Sequence, residues 1–191
     1  MKLYSKIARK YYKYIYEEES FAFANGGSFS SSGCQSASRT SDSQIYGGAN
    51  AYEVGQHHWF SITYTYTNTI PASTYKFAIS ISGQGNGYIW TPTVTITYDD
   101  STTEQVYTTG GGNSLSDTFT FVASKPIKSI KATGEMTHSS SQYVGVYLYL
   151  TSQTHLVQYS EESTEEDYDY YKDVDVFSAI KQQDNFYGVL I

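Results

Sequence analysis

The chain contains a single cysteine, three prolines and two arginines, and only 16% of its residues are charged. One cysteine, Cys34, allows no intramolecular disulfide and no cysteine-based metal site. No apolar run is long enough to cross a bilayer as a helix, so we expect no membrane insertion. The first ten residues also lack the apolar stretch of a secretory signal, so we expect synthesis in a cytoplasm.

Positive charge is scarce as well, and it is concentrated at one end. Residues 1–20 carry five basic and three acidic side chains, whereas residues 161–175 carry one basic and eight acidic side chains. The net charge is -7. Without a broad basic surface, the chain is not expected to bind nucleic acid.

Tyrosine is abundant, with 21 copies, and much of it lies in segments that alternate between apolar and hydroxyl side chains. Alternation with a period of two predicts β-strands that are buried on one face. Three stripes show it most clearly: Phe60, Ile62, Tyr64 and Tyr66; Tyr75, Phe77, Ile79 and Ile81; and Val144, Val146, Leu148 and Leu150. Turn signals recur every 8–12 residues, among them Asp99-Asp100-Ser101 before a hairpin strand.

This spacing predicts an all-β fold, an antiparallel β-sandwich of about eight strands. We expect three parts: a basic, Tyr-rich N-terminal arm (1–20), a sandwich domain (21–160, strands mainly 55–159) and an acidic, Tyr-rich C-terminal arm (161–191). Both arms are predicted to be non-globular. The first is either a short helix or an extended segment.

Glycine and serine dominate residues 24–50, which is loop composition. We expect a linker or a long loop here, held to the core by Phe21, Phe23 and Phe29.

No set of residues predicts a reaction. The four histidines lack metal-ligand spacing, and Asp99-Asp100 is interpreted as a turn. A polysaccharide-cleaving enzyme needs two carboxylates across a cleft, and the spacing selects no pair. We therefore expect a non-enzymatic protein without cofactor or metal.

Aromatic residues near two predicted loops form a candidate glycan site. Trp59, Tyr88 and Trp90 could stack on sugar rings, and Asn86 and Gln84 could bind hydroxyl groups. The alternative is that both tryptophans belong to the core, because sandwiches commonly bury tryptophan.

Several segments resemble the second half of a galactose-binding-like jelly roll. They are Thr93–Tyr107 with its acidic turn, the Phe119-Thr-Phe121 strand, the Lys125–Gly134 strand and the apolar closing strand Tyr143–Leu150. The resemblance implies a jelly-roll topology over roughly residues 55–152. It transfers no ligand residue.

The whole chain also resembles small structural proteins of tailed-phage or other virus particles in its Ser/Thr/Gly/Tyr-rich β-domain and its two arms. This resemblance implies a virion component (capsid decoration, head fibre, or tail and receptor-binding protein) that is oligomeric and bound to other virion proteins. The alternative is a carbohydrate-binding module or adhesin domain at an extracellular surface, with a host-surface glycan as ligand. The candidate anchoring residues are Tyr11, Tyr12, Tyr14, Tyr168, Tyr170, Tyr171, Phe186 and Tyr187.

The arm hypothesis makes a testable prediction. Deleting residues 1–20 or 161–191 should leave a folded, soluble β-domain that no longer assembles, because the core is predicted to fold without the arms. Circular dichroism checks the fold and light scattering checks assembly. A truncated chain that assembles normally would show that its missing arm is not an anchor.

Overall fold

A computed structural model of the chain describes residues 2–23, 26–51, 57–84, 88–137, 144–173 and 187–190. The chain forms two compact units. One comprises residues 18–157, and the other combines residues 1–17 with 158–191. Within the described residues there is no helix of the length and apolarity that would cross a membrane.

The described residues form β-strands joined by short turns. In chain order the strands are β1 (Lys2–Ser20), β2 (Gly27–Ser32), β3 (Ser36–Ser41), β4 (Gln44–Ala51), β5 (His58–Ile70), β6 (Thr74–Gly83), β7 (Tyr88–Tyr98), β8 (Thr103–Thr108), β9 (Gly111–Gly112), β10 (Ser114–Val122), β11 (Ile127–Thr137), β12 (Val144–Asp173) and β13 (Tyr187–Leu190).

The described strands form a seven-stranded sheet, sheet A, and a six-stranded sheet, sheet B. The sandwich is built on the antiparallel neighbours β4-β12-β6-β10 of sheet A and β5-β11-β7-β8 of sheet B. Consecutive strands lie in different sheets from β4 to β7 and again from β9 to β12. This is the jelly-roll β-sandwich that the sequence predicted. Edge strands extend it: β3 pairs with β4, β2 with β5, and β9 with β7.

The core lies between the inner faces of the two sheets. The predicted inward residues of β5 and β6 are buried, as are Val146, Leu148 and Leu150 of β12. Tyr147 and Tyr149 lie on the opposite face, as predicted. Aromatic rings cluster in this core: the ring centroid of Phe77 lies 6.0 Å from that of Phe119 and 5.8 Å from that of Phe121.

The loop prediction for residues 24–50 was wrong. Most of this segment forms β2, β3 and β4, because exposed strand edges supply the hydrogen-bond partners that its own composition does not indicate. Ile45 and Ala49 of β4 enter the core. The expected pinning is confirmed: Phe21 and Phe23 are buried and Phe29 packs on the core.

The N-terminal segment is a strand, so the extended alternative holds and the helical one does not. Its first residues pair antiparallel with β13, from Leu3 opposite Leu190 to Lys6 opposite Tyr187. Strand β12 includes the predicted strand 154–159 and continues to Asp173.

The hairpin between β7 and β8 turns at Asp99-Asp100, as predicted. Lys125 Nζ donates a hydrogen bond to Oδ2 of Asp100 (2.5 Å) and lies 5.6 Å from the centroid of the Tyr98 ring. The Thr102 backbone N–H donates to Oδ1 of the same carboxylate (3.0 Å). The hydrogen bond from Lys125, followed by those from Thr102, lowers the pKa of Asp100 to about 2.

This carboxylate should make the stability of the fold depend on acid. Because its pKa falls from an ordinary 3.8 to about 2 on folding, its contribution is present above pH 3.8 and is lost between there and pH 2. Urea unfolding at several pH values should show a steeper loss of stability in this window for the wild type than for Asp100→Asn. The effect should be small because the pair is exposed to solvent.

Lys125→Met provides a matched control, since it removes the cation and keeps the carboxylate. It should flatten the same pH window. An unchanged acid profile in both variants would show that the hydrogen bonds to Asp100 contribute nothing to stability.

Candidate functional site

Two tryptophans lie in one row across the outer face of sheet B, with one residue between them. Glu135 of β11 is in register with Trp59 of β5 on one side and with Trp90 of β7 on the other. Trp59 is 67% exposed and Trp90 is 49% exposed. We call these three residues the tryptophan row. The alternative prediction, that both tryptophans are core residues, was wrong.

A β-bulge turns Trp90 to the outer face. Thr93 pairs with Thr133 and Trp90 pairs with Glu135, so β7 has one residue more than β11 over this stretch. Regular alternation from Thr93 would point Trp90 inward. The extra residue reverses the pattern, so that Ile89 is fully buried and Trp90 is exposed.

The bulge requires an unfavourable backbone conformation. Thr91 has φ 35°, a left-handed value that a β-branched residue rarely adopts. Gly111 of β9 has φ 82° beside it, and a Cβ at that position would lie 1.9 Å from the carbonyl oxygen of Ile89. Strain of this kind is typical of positions where a side chain must be re-aimed for a function.

Glycines bring the surrounding chain close to the row. Gly33, with φ 68°, lies against the backbone of Trp59, and a Cβ there would be 2.1 Å from the Trp59 carbonyl oxygen. Gly134 lies beneath the row, where a Cβ would meet Ile89 Cγ2 at 2.8 Å and the Phe60 ring at 3.2 Å. The row is therefore supported by close packing from below.

Glu135 places a carboxylate between the two indoles. Its side chain is 18% exposed, and Oε1 accepts a hydrogen bond from Nδ1 of His57 at 2.5 Å. Because a carboxylate only accepts, the proton of this bond lies on Nδ1. The bond fixes one oxygen of Glu135 and leaves acceptor capacity for a ligand hydroxyl.

Hydroxyl groups occupy the next row of sheet B. Ser61, Thr133 and Thr93 are in register there, and the Oγ1 atoms of the two threonines are 2.5 Å apart. Tyr88 is half-buried, and its ring centroid is 4.9 Å from that of Trp90, with the two planes tilted by 52°. Three of the five predicted glycan contacts, Trp59, Tyr88 and Trp90, therefore lie on the same end of sheet B, whereas the Gln84 backbone N–H donates to the carbonyl of Gly145 in sheet A. Asn86 lies outside the described residues.

The candidate anchoring residues lie on β1, β12 and β13. Tyr11, Tyr12 and Tyr14 are in β1, and Tyr14 is 49% exposed. Tyr168, Tyr170 and Tyr171 are in β12, and Tyr187 begins β13. Phe186 lies outside the described residues.

The described acidic groups have separate partners. Glu104 accepts a hydrogen bond from the Tyr98 hydroxyl, Asp117 accepts one from the Tyr107 hydroxyl at 2.8 Å, and Asp42 is 3.8 Å from Arg39. Within the part of the chain that the structure describes, no group of three His, Cys, Asp or Glu side chains could hold a metal ion. Burial raises the pKa of the Cys34 thiol, which is the opposite of what a nucleophile requires.

Sequence reasoning did not find Glu135, His57 or Thr91 as parts of this site. One signal was available for the bulge: Pro92 interrupts a strand pattern, and proline inside a strand favours a bulge or an edge. Nothing in the spacing of His57 and Glu135 indicated that they would meet, because β5 and β11 pair only in the folded sheet.

Comparison with solved structures finds weak likenesses to carbohydrate-binding modules and to a bacteriophage tailspike protein. The family 32 carbohydrate-binding module of C. perfringens NanJ, solved with galactose, has 16% identity and a TM-score of 0.41, over 70% of this chain and 99% of that one. A family 29 module from Piromyces equi has 11% identity and a TM-score of 0.39, over 77% and 90%. Tailspike protein 4 of bacteriophage CBA120 has 7% identity and a TM-score of 0.31, over 72% and 19%.

No family model and no curated protein sequence matches the chain. Likenesses this weak do not indicate a ligand for this chain.

The strain at Thr91 can be measured. Thr91→Gly should raise the free energy of unfolding by about 0.5–1 kcal/mol. Glycine removes the steric cost of the left-handed conformation, and this gain is larger than the free-energy cost of the extra conformational entropy that glycine has in the unfolded chain. Thr95→Gly, at a position where β7 pairs in regular register with β11, should lower it by about 0.5–1 kcal/mol. Urea denaturation compares the two. A loss of stability at both positions would contradict the strained bulge.

Proposed function

We propose that this protein is a non-catalytic glycan-binding protein and that the tryptophan row is its binding surface. The bulge at Thr91 carries the proposal. It places a large aromatic side chain in solvent at the cost of a strained backbone, where regular alternation would have buried it. The same bulge buries Ile89, but the exposed indole of Trp90 adds nothing to the core, and we infer that its benefit lies at the surface.

The chemistry of the row suits a sugar. Indole rings stack on the apolar C–H faces of pyranose rings, and this contact removes apolar area from water on both partners. Glu135 between the indoles can accept hydrogen bonds from sugar hydroxyls, and hydrogen bonds to a charged acceptor are stronger than neutral ones. The half-buried hydroxyl groups of Thr133 and Thr93 continue the polar surface, whereas Ser61 beside them is buried.

The spacing favours an oligosaccharide over a single sugar. Trp59 and Trp90 are two strands apart, which corresponds to roughly 10 Å between their backbones. Two indoles at that distance can each contact a different ring of one chain. Glu135 would repel a glycan with carboxylate or sulfate groups, so the expected ligand is uncharged or carries amino groups.

We prefer this function to the virion role that the second resemblance implied. The tryptophan row is a defined set of neighbouring side chains, whereas no contact among the described residues favours a place on a virus particle. The virion role, its protein partners and its location therefore stay predictions, and the glycan reading agrees with the alternative of an extracellular surface.

Glycan binding should depend on both indoles. Trp59→Ala and Trp90→Ala should each weaken binding to an oligosaccharide found on a glycan array by at least tenfold, which corresponds to about 1.4 kcal/mol. Isothermal titration calorimetry measures the affinities. Both side chains are exposed, so the fold should survive the change.

Thr95→Ala is a matched control, because Thr95 lies on the same outer face, two rows away from the tryptophan row. It should bind like the wild type. Equal affinities for the wild type and both tryptophan variants would refute the row as the binding surface.

A further inference from the structure

The outer face of sheet A carries a second organised surface, on the side of the sandwich opposite the tryptophan row. Strands β3, β4, β12, β6 and β10 place their outward residues in register across this face. We call it the tyrosine face. Its rows are Asn50, Gly145 and Gln84; Ser36, Gly48, Tyr147, Ser82 and Ser114; Ser38, Tyr46, Tyr149, Ser80 and Ser116; and Gln44, Thr151, Ala78 and Thr118.

None of the residues in these four rows is charged. The chain as a whole carries a net charge of -7, and the outer face of sheet B contains both Lys131 and Glu135. An outward sheet face usually gains solubility from charged side chains, yet these four rows have only hydroxyl, amide, phenol, methyl and backbone groups, and Lys76 lies in the next row, beyond Ala78. Its chemistry matches a ligand that is itself uncharged and rich in hydroxyl groups.

The aromatic residues form a compact cluster at the centre of the face. The rings of Tyr46 and Tyr149 are stacked, with centroids 5.6 Å apart and planes inclined by 27°. Tyr147 extends the cluster, with its centroid 6.3 Å from that of Tyr46. A Cβ on Gly48 would lie 2.6 Å from the Tyr147 ring, so the absence of a side chain at Gly48 allows this ring to pack against the sheet.

Two amide side chains cover the buried Gly145 next to the cluster. A Cβ at this position would lie 2.9 Å from Oδ1 of Asn50 and 3.5 Å from Oε1 of Gln84. Two amide side chains therefore lean over a strand residue that has no side chain, one row away from Tyr147. Paired amides beside an aromatic ring can exchange hydrogen bonds with neighbouring hydroxyl groups of a ring stacked on the aromatic face.

We propose that the tyrosine face is a second binding surface for an uncharged polysaccharide, with Tyr147 as the stacking ring and Asn50 and Gln84 as the hydroxyl contacts. The face crosses several strands, so it can accommodate a chain of several sugar rings. With the tryptophan row on the other sheet, it makes the protein bivalent, able to hold two glycan chains on its two faces. The proposal does not require that the tryptophan row bind.

The experiment isolates the face by removing the other surface. The full chain with Trp59→Ala and Trp90→Ala is run in native gels containing hydroxyethyl cellulose, galactomannan or xylan, with polygalacturonate as the charged comparison. At least one uncharged polymer should retard it, and polygalacturonate should not. In this background Tyr147→Ala should weaken retardation at least tenfold, because the stacking ring is lost.

Gly145→Ala tests the position of the two amide side chains without removing an aromatic ring. The added methyl group meets the movable end of Asn50, so the fold should persist while the amides are displaced, and retardation should again weaken. Thr95→Ala, on the outer face of sheet B and outside both proposed surfaces, is the control and should change nothing. Circular dichroism confirms that each variant is folded.

The outcomes separate the two surfaces. Retardation in the double-tryptophan background that is lost with Tyr147→Ala supports the tyrosine face. No retardation by any uncharged polymer in that background overturns it, even if the wild type binds through its tryptophans. Light scattering that shows a dimer broken by Tyr147→Ala would overturn it too, since the face would then be an interface between two copies.

Discussion

The organisation of this protein depends on burying two apolar sheet faces against each other. Side chains on a strand point alternately to opposite faces, so each strand that contributes Ile, Val, Phe or Tyr to the core must present its other residues outward. The inner positions of β5, β6, β7, β11 and β12 are filled in this way. What remains on the outside is set by the same alternation, and here it consists of hydroxyl residues and a few aromatic ones.

One interruption of the alternation decides the candidate site. The extra residue at Thr91 moves Ile89 into the core and Trp90 out of it, and the register on β11 then brings Trp90 next to Glu135 and Trp59. The strain of the bulge is offset by its surroundings: Gly111 allows β9 to pair closely, and Gly134 leaves room for Ile89 and Phe60. The packing around the bulge thus keeps Trp90 on the surface, although the backbone conformation that this requires at Thr91 is locally unfavourable.

The two outer faces differ in a way that bears on their ligands. The tryptophan row combines exposed indoles with a carboxylate held by His57, whereas the tyrosine face has stacked phenols, amides and no charge. Both combine flat aromatic surface with hydrogen-bonding groups on a rigid sheet. A jelly roll that carries one such surface on each sheet would be suited to joining glycan chains, because its two faces point in opposite directions.

The amino-acid pattern by itself determined the all-β class, the main inward stripes, the Asp99-Asp100 turn and the inward packing of Phe21 and Phe23. These features follow from short-range alternation and turn chemistry, which are local properties of a chain. Strands β2, β3 and β4 escaped detection because Ser- and Gly-rich segments become strands only when an edge offers them hydrogen bonds. The outward position of Trp90, its alignment with Trp59, and the meeting of His57 with Glu135 were decided only by the tertiary structure. The register between distant strands is a long-range property that no local pattern encodes, and Pro92 marks an interruption of the strand without indicating which side chain it turns outward.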